Sequence, residues 1–315
     1  MAAHSLRRRI TARTALTTFM AAGAALAVIT SASAAVAAPG GGAAAPAAKV
    51  AAPAVSKVAY TAKERREALA YWTPARIKAV GESTDLGPTD PKVTPWKGTE
   101  MKSVGRLFFV NGNGEDSWCT ATAVNSANRS VVMAAGHCVR RGSAPDFTHI
   151  EMVFVPGYHK GQQPYGAFAV RASLTPRTWA EESTNDLAAL VVDADTTGRK
   201  LTDVVGGQAI AFNRPVGGAI HAFGYPASRP SRGEELLHCT GKAKQAPQAD
   251  EQVIPCGMAG GSSGGPWLAD FNATTGKGVL VSVNSHGEGL ETGKKMYGPV
   301  LGATAKTVYD QAQRG

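Results

Sequence analysis

The chain has 315 residues, of which 43% are hydrophobic, 18% are charged and 36 are glycine. That excludes a chain too polar to bury a core, and the glycine content favours a loop-rich all-β protein over a helical bundle. The net charge of +9 is uneven: the first 38 residues carry four arginines and no acid, residues 39–100 nine bases and six acids, and residues 101–315 twenty bases and eighteen acids. The last portion is nearly neutral, and no clustered basic face argues for nucleic acid.

The first element is the basic stretch "LRRRITAR", followed by the apolar run Ala15 to Thr30 and the small residues "SASAAVAA". This order predicts a cleavable export signal over 1–38 and an extracellular protein. The apolar run is short for a membrane span of about 20 residues. No second apolar segment follows, so no stable membrane association is expected after processing.

Residues 39–58 are rich in Ala, Pro and Gly and read as disordered. Thr61 followed by Glu64 forms a capping-box pattern, which predicts a helix ending near Thr73-Pro74. From Gly81 to Gly98 the chain is again rich in Pro and Gly. Residues 39–100 are therefore expected to be a pro-segment or linker ahead of a folded domain over 101–315.

Short β-prone runs follow: "VGRLFFV", "TATAVN", "SVVMAA", "IEMVFV", "AFAVRAS" and "LAALVV". A second group, from "QAIAFN" to "GVLVSVNS", begins after Val205. Two such groups without long amphipathic helices predict an all-β protein of two antiparallel six-stranded barrels, over about 104–200 and 205–303. The boundary is expected near 195–207, and Thr304 to Gln313 reads as a short C-terminal helix.

The four cysteines are Cys119, Cys138, Cys239 and Cys256. An even count in an exported protein points to disulfides, with three possible pairings. The local one, Cys119–Cys138 with Cys239–Cys256, is the simplest; closing each short loop would contribute about 3 kcal/mol. Zinc is the alternative, but no C-x-x-C pair or H-E-x-x-H run supports it.

Three stretches carry chemistry. "SVVMAAGHCV" ends a β-run in His137, "STNDLAALVV" sets Asp186 before an apolar strand, and "GGSSGGPW" places two hydroxyls on bare backbone. A serine hydroxyl is a poor nucleophile until a base takes its proton. The base, a neutral imidazole, needs a carboxylate to fix its tautomer and stabilise the cation that forms. "GSSGG" also satisfies the nucleophile-elbow pattern of α/β-hydrolases. That fold requires the order Ser, acid, His and long helices between strands, and neither is evident.

The motifs "AAGHC", "NDLAALVV", "GGSSGGPW" and "VNSHG" resemble those of the chymotrypsin/trypsin-like serine peptidases, particularly the secreted ones of actinobacteria. The likeness covers residues 104 to about 310. It implies a two-barrel fold, a triad of His137, Asp186 and Ser263, and an oxyanion hole made by the N–H groups of Gly261 and Ser263. It pairs Cys138 with Cys119. It also implies that Ser285 bonds the buried aspartate, and that Ser285, His286 and Gly287 border the substrate. The expected partners are polypeptide substrates, the expected state is a monomer, and no metal or cofactor is implied.

Two departures matter. Ser262 stands where the family pattern has an aspartate that receives a new N-terminal amine on activation. Six residues before the nucleophile lies Gly257, with Met258 next, and no acid lies between Gly257 and Ser263. This implies an apolar or medium-sized residue at the cleavage site, while His286 leaves glutamate-directed cleavage open. The non-enzymatic alternative is a secreted binding module on the same fold.

Overall fold

The computed structural model describes residues 55–81, 84–142, 148–248, 250–288 and 294–315. The expected export signal and residues 39–54 lie outside the described residues. The chain begins with β1 (Val55–Ala59), α1 (Ala62–Tyr71), α2 (Pro74–Ala79) and β2 (Thr94–Pro95). Then follow β3 (Val104–Val110), β4 (Asp116–Ala123), β5 (Val131–Ala134), β6 (Ile150–Pro156), β7 (Phe168–Pro176), α3 (Arg177–Glu182) and β8 (Ala188–Val192). After α4 (Leu201–Val205) come β9 (Ala209–Ile210), β10 (Ala219–Gly224), β11 (Leu237–Lys242), β12 (Lys244–Gln245) and β13 (Glu251–Ile254). The chain closes with β14 (Pro266–Asn272), β15 (Lys277–Val283), β16 (His286–Gly287), β17 (Met296–Pro299) and α5 (Ala303–Ala312).

The first half is a closed barrel. Its strands run β7-β6-β3-β4-β5-β8, and β8 pairs back onto β7. Closure removes the sheet edges and leaves an interior filled by side chains. Val131, Val132, Met133 and Ala134 of β5 are accordingly fully buried. The second half shares its strands between a six-stranded sheet, β2-β11-β10-β14-β15-β9, and a four-stranded sheet, β12-β13-β17-β16. Trp267 of β14, Ile254 of β13 and Met296 of β17 belong to one buried cluster, so the two sheets share a core. This is the expected all-β fold with its C-terminal helix. The short helices α3 and α4 were not expected, and α4 falls within the predicted boundary.

Residues 55–81 and 84–100, ahead of the barrels, include elements packed against them, and the expected disorder of 39–58 fails for 55–58, which lie in β1. Thr61 caps α1 as its spacing predicts: Glu64 N–H donates to Thr61 Oγ1 at 3.2 Å and Thr61 N–H to Glu64 Oε2 at 2.6 Å. β1 pairs antiparallel with β7 from Val55↔Pro176 to Ala59↔Ala172. Trp72 and Ile77 are buried in the main core, and β2 pairs with Leu237 and His238 of β11. The Pro- and Gly-rich composition marked irregular backbone, and that backbone is docked.

Candidate active site

His137 sits in a single 3-10 turn, Gly136–Cys138, immediately beyond β5. Small residues are required here: a Cβ on Gly136 would lie 2.8 Å from the Trp179 indole. The next residue, Cys138, is bonded to Cys119 of β4, and Cys239 is bonded to Cys256. Cys119, His137 and Cys138 form the one grouping with metal-ligand spacing among the described residues. Both sulfurs are joined to each other, so neither offers a thiolate.

Asp186 precedes β8, and β8 pairs with β5 in the register Ala134↔Ala188. This antiparallel neighbourhood brings Asp186 beside His137. The carboxylate holds the histidine at two points: His137 N–H donates to Oδ1 at 2.8 Å and Nδ1–H to Oδ2 at 2.7 Å. Ser285 Oγ donates to the same Oδ2 at 2.5 Å. Burial disfavours the His137 cation, but the charge and hydrogen bond of Asp186 outweigh it and raise its pKa above the ordinary 6.5. Burial likewise disfavours the Asp186 anion, and His137 with Ser285 outweighs it, lowering that pKa. One further partner was not foreseen: His149 Nε2 lies 3.1 Å from the His137 carbonyl oxygen.

Ser263 lies on the turn leading into β14. Gly261 and Gly264 have φ of +89° and +79°, conformations that side chains resist. The turn is fixed by its carbonyls. Gly260 C=O accepts Ala227 N–H at 2.8 Å, and Gly261 C=O accepts Thr120 Oγ1–H at 2.9 Å. Ser262 C=O accepts Asn284 Nδ2–H at 2.9 Å. Each peptide is planar, so a carbonyl held on one side sends its N–H to the other. Thus the N–H groups of Gly261 and Ser263 point away from these anchors, and neither is hydrogen-bonded among the described residues. Ser262 Oγ donates to Ala259 C=O at 2.8 Å, closing the turn locally where the family pattern has a carboxylate.

His137 and Ser263 line one cleft of about 710 Å³, together with Met258, Met296 and Trp179. Ser263 Oγ makes no hydrogen bond among the described residues. Ser285, His286 and Gly287 border this cleft, whereas Gly257 does not line it and donates its N–H to Asp90 Oδ2 at 3.4 Å. Alternation along β16 and β17 splits the wall. Met296 faces inward and is 1% exposed. His286 lies on the opposite face of the strand pair from Met296, stacked on Tyr297 at 4.8 Å and bonded to Glu251 Oε1 at 2.9 Å, and both His286 and Glu251 line the cleft. An acid therefore does reach the cleft, from β13 rather than from the stretch between Gly257 and Ser263.

Sequence reasoning missed Asn284, Met296, Glu251 and His149. Asn284 is 1% exposed, and its amide also donates to Phe223 C=O at 2.9 Å and accepts from Trp267 Nε1 at 2.7 Å. Its place directly before the Ser285 motif was the one available signal. The others are joined to the site only by strand register.

Among solved structures the chain is similar to the protease Anisep from Arthrobacter nicotinovorans, at 38% identity and a TM-score of 0.64, over 69% of this chain and 98% of that one. It is also similar to AL20, a thermostable serine protease from an extremophilic microorganism, at 36% identity and a TM-score of 0.63, over 68% and 98% of the two chains. A Glu endopeptidase shares the fold at 18% identity and a TM-score of 0.58. No protein-family model and no curated protein matches the chain.

Proposed function

The chain belongs to the trypsin-like serine protease family, and from that premise we propose that it is a secreted endopeptidase acting through an acyl-enzyme. His137 Nε2 takes the Ser263 proton as Oγ attacks the scissile carbonyl. The carbonyl electron pair moves onto oxygen, where the Gly261 and Ser263 N–H groups receive it. Asp186 holds the imidazole in the Nδ1–H tautomer and stabilises the imidazolium. His137 then protonates the leaving amine, and water repeats the sequence to release the acid. The observation that carries this reading is the two-point bond of Asp186 to His137 beside a turn whose two N–H groups are unengaged.

Ser285 to Gly287 would pair with an extended substrate backbone. Met258 and Met296 line the cleft from its two walls and favour a medium-sized apolar side chain at the cleavage site. Residues 1–38 would direct export, and residues 39–100 would be a pro-segment or linker ahead of the 101–315 peptidase domain. Two relatives are matched over 98% of their length by about two thirds of this chain, which fits that division. All the proposed site residues come from one chain, so a monomer suffices.

A fluorophosphonate probe tests the reading. Labelling of the processed protein should depend on Ser263, and Ser263→Ala should lose casein hydrolysis. Hydrolysis undiminished in Ser263→Ala would sink the assignment. No labelling of folded protein would leave a binding module on a protease fold.

A further inference from the structure

The stretch before the first barrel makes a second set of contacts that its composition did not foreshadow. Residues 84–90 run behind the nucleophile turn. A Cβ built on Gly260 would lie 3.0 Å from Leu86 Cδ1, so the leucine methyl covers that glycine. The strap also grips the loop 227–232. Arg229 N–H donates to Gly87 C=O at 2.8 Å, and Thr89 N–H donates to Arg229 C=O at 2.9 Å. Thr89 Oγ1–H adds a bond to the same carbonyl at 2.7 Å and sits 2.8 Å from Ser228 Oγ. Asp85 pairs with Arg229 at 3.0 Å.

The gripped loop leads to the oxyanion turn. Ala227, two residues before Arg229, donates its N–H to Gly260 C=O. That bond orients the peptide whose other end is the Gly261 N–H. A parallel contact runs through Trp118. Its indole donates to Tyr225 C=O at 2.9 Å and lies 2.7 Å from a Cβ built on Gly261 and 2.8 Å from one on Gly81. Both contacts start in the stretch before residue 100 and end at the Gly260–Gly261 peptide.

We propose that residues 84–90 are a positioning strap for the oxyanion turn: by holding the loop around Ala227 and covering Gly260, they aim the Gly261 N–H into the cleft. The proposal rests on the reading of Gly261 as an oxyanion donor. It assigns to a docked upstream segment an ordering role that the Ser262 hydroxyl, bonded only to Ala259 C=O within its own turn, leaves open. Leu86 and Thr89 are positioning residues and touch no substrate. The strap therefore belongs with the linker reading of residues 39–100: it acts only in a form of the protein that keeps residues 84–90.

The test compares Leu86→Ala and Thr89→Val with the unaltered full chain, counting active sites by fluorophosphonate titration. Thr89 is half-buried, and Thr89→Val keeps the shape of the side chain while removing its hydroxyl. Per titrated site, kcat should fall about tenfold, less than the roughly 10²-fold that a misplacement of about 1 Å can cost, with KM within twofold. The inhibition constant of a peptide aldehyde, whose hemiacetal oxygen occupies the oxyanion position, should rise by the same factor. Leu86→Met and Thr89→Ser should restore both. Unchanged kcat and aldehyde affinity per site in both variants would overturn the strap, even if the yield of active protein drops. If the unaltered chain has no titratable Ser263, it is the reading of the site that fails.

Discussion

The imidazole of His149 is hydrogen-bonded through Nε2–H to the carbonyl oxygen of His137, at 3.1 Å, while its ring stacks on Phe109 at 4.4 Å. Its Nδ1 is buried without a partner among the described residues. Burial, together with the neighbouring His137, lowers its pKa to about 4. Below the ordinary value of 6.5 the unfolded chain takes up a proton that the folded chain refuses, so stability falls as pH drops from 6.5 to about 4. At ~1.4 kcal/mol per unit this amounts to roughly 3 kcal/mol. Urea midpoints across that window should show this slope, and His149→Gln should lose it.

In the proposed mechanism the Asp186 carboxylate sets the pH at which His137 acts as a base. Its charge raises the imidazole pKa, so kcat/KM should rise with a midpoint above 6.5. In Asp186→Asn burial remains and the favourable charge is gone. The midpoint should move down, and the plateau should fall roughly 10⁴-fold as the tautomer is lost. A pH–rate profile of both proteins checks the direction; an unmoved midpoint would contradict the coupling.

Gly261 has no room for a side chain. Its φ is +89°, and a Cβ would lie 2.7 Å from the Trp118 indole and 2.8 Å from Tyr225 O. Gly261→Ala must shift the peptide bearing its N–H. A loss of about 10²–10³-fold in kcat is expected, the usual effect of removing one oxyanion donor. Steady-state kinetics per titrated site measure it.

Met258 borders the cleft near Ser263. Shortening it should deepen the pocket and shift preference from medium-sized to larger apolar residues before the scissile bond. One or two methylenes in an apolar pocket discriminate by roughly 10–200-fold. Mass spectrometry of peptide-library fragments from Met258→Ala and the parent protein would show the shift. Unchanged fragment patterns would place the specificity elsewhere.

The histidine, aspartate and serine stretches were legible because each is a local pattern: small residues then histidine, an acid before an apolar strand, a serine among glycines. The α1 cap was legible for the same reason, since Thr61 and Glu64 are three positions apart. His286 shows the limit. Its place in the motif was readable, but the side it faces was not, because Glu251 and Tyr297 meet it only across β17.

By itself the sequence determined the strand-rich class, the order of the three chemical residues and the glycine-framed turn. These follow from spacing and backbone preference within a few residues. Only the tertiary structure decided what anchors the turn. Thr120 reaches Gly261 across 141 positions and Asp85 reaches Arg229 across 144. It also decided that a Pro- and Gly-rich stretch lies against the barrels. Contacts so far apart depend on barrel closure and strand register, which no local pattern records.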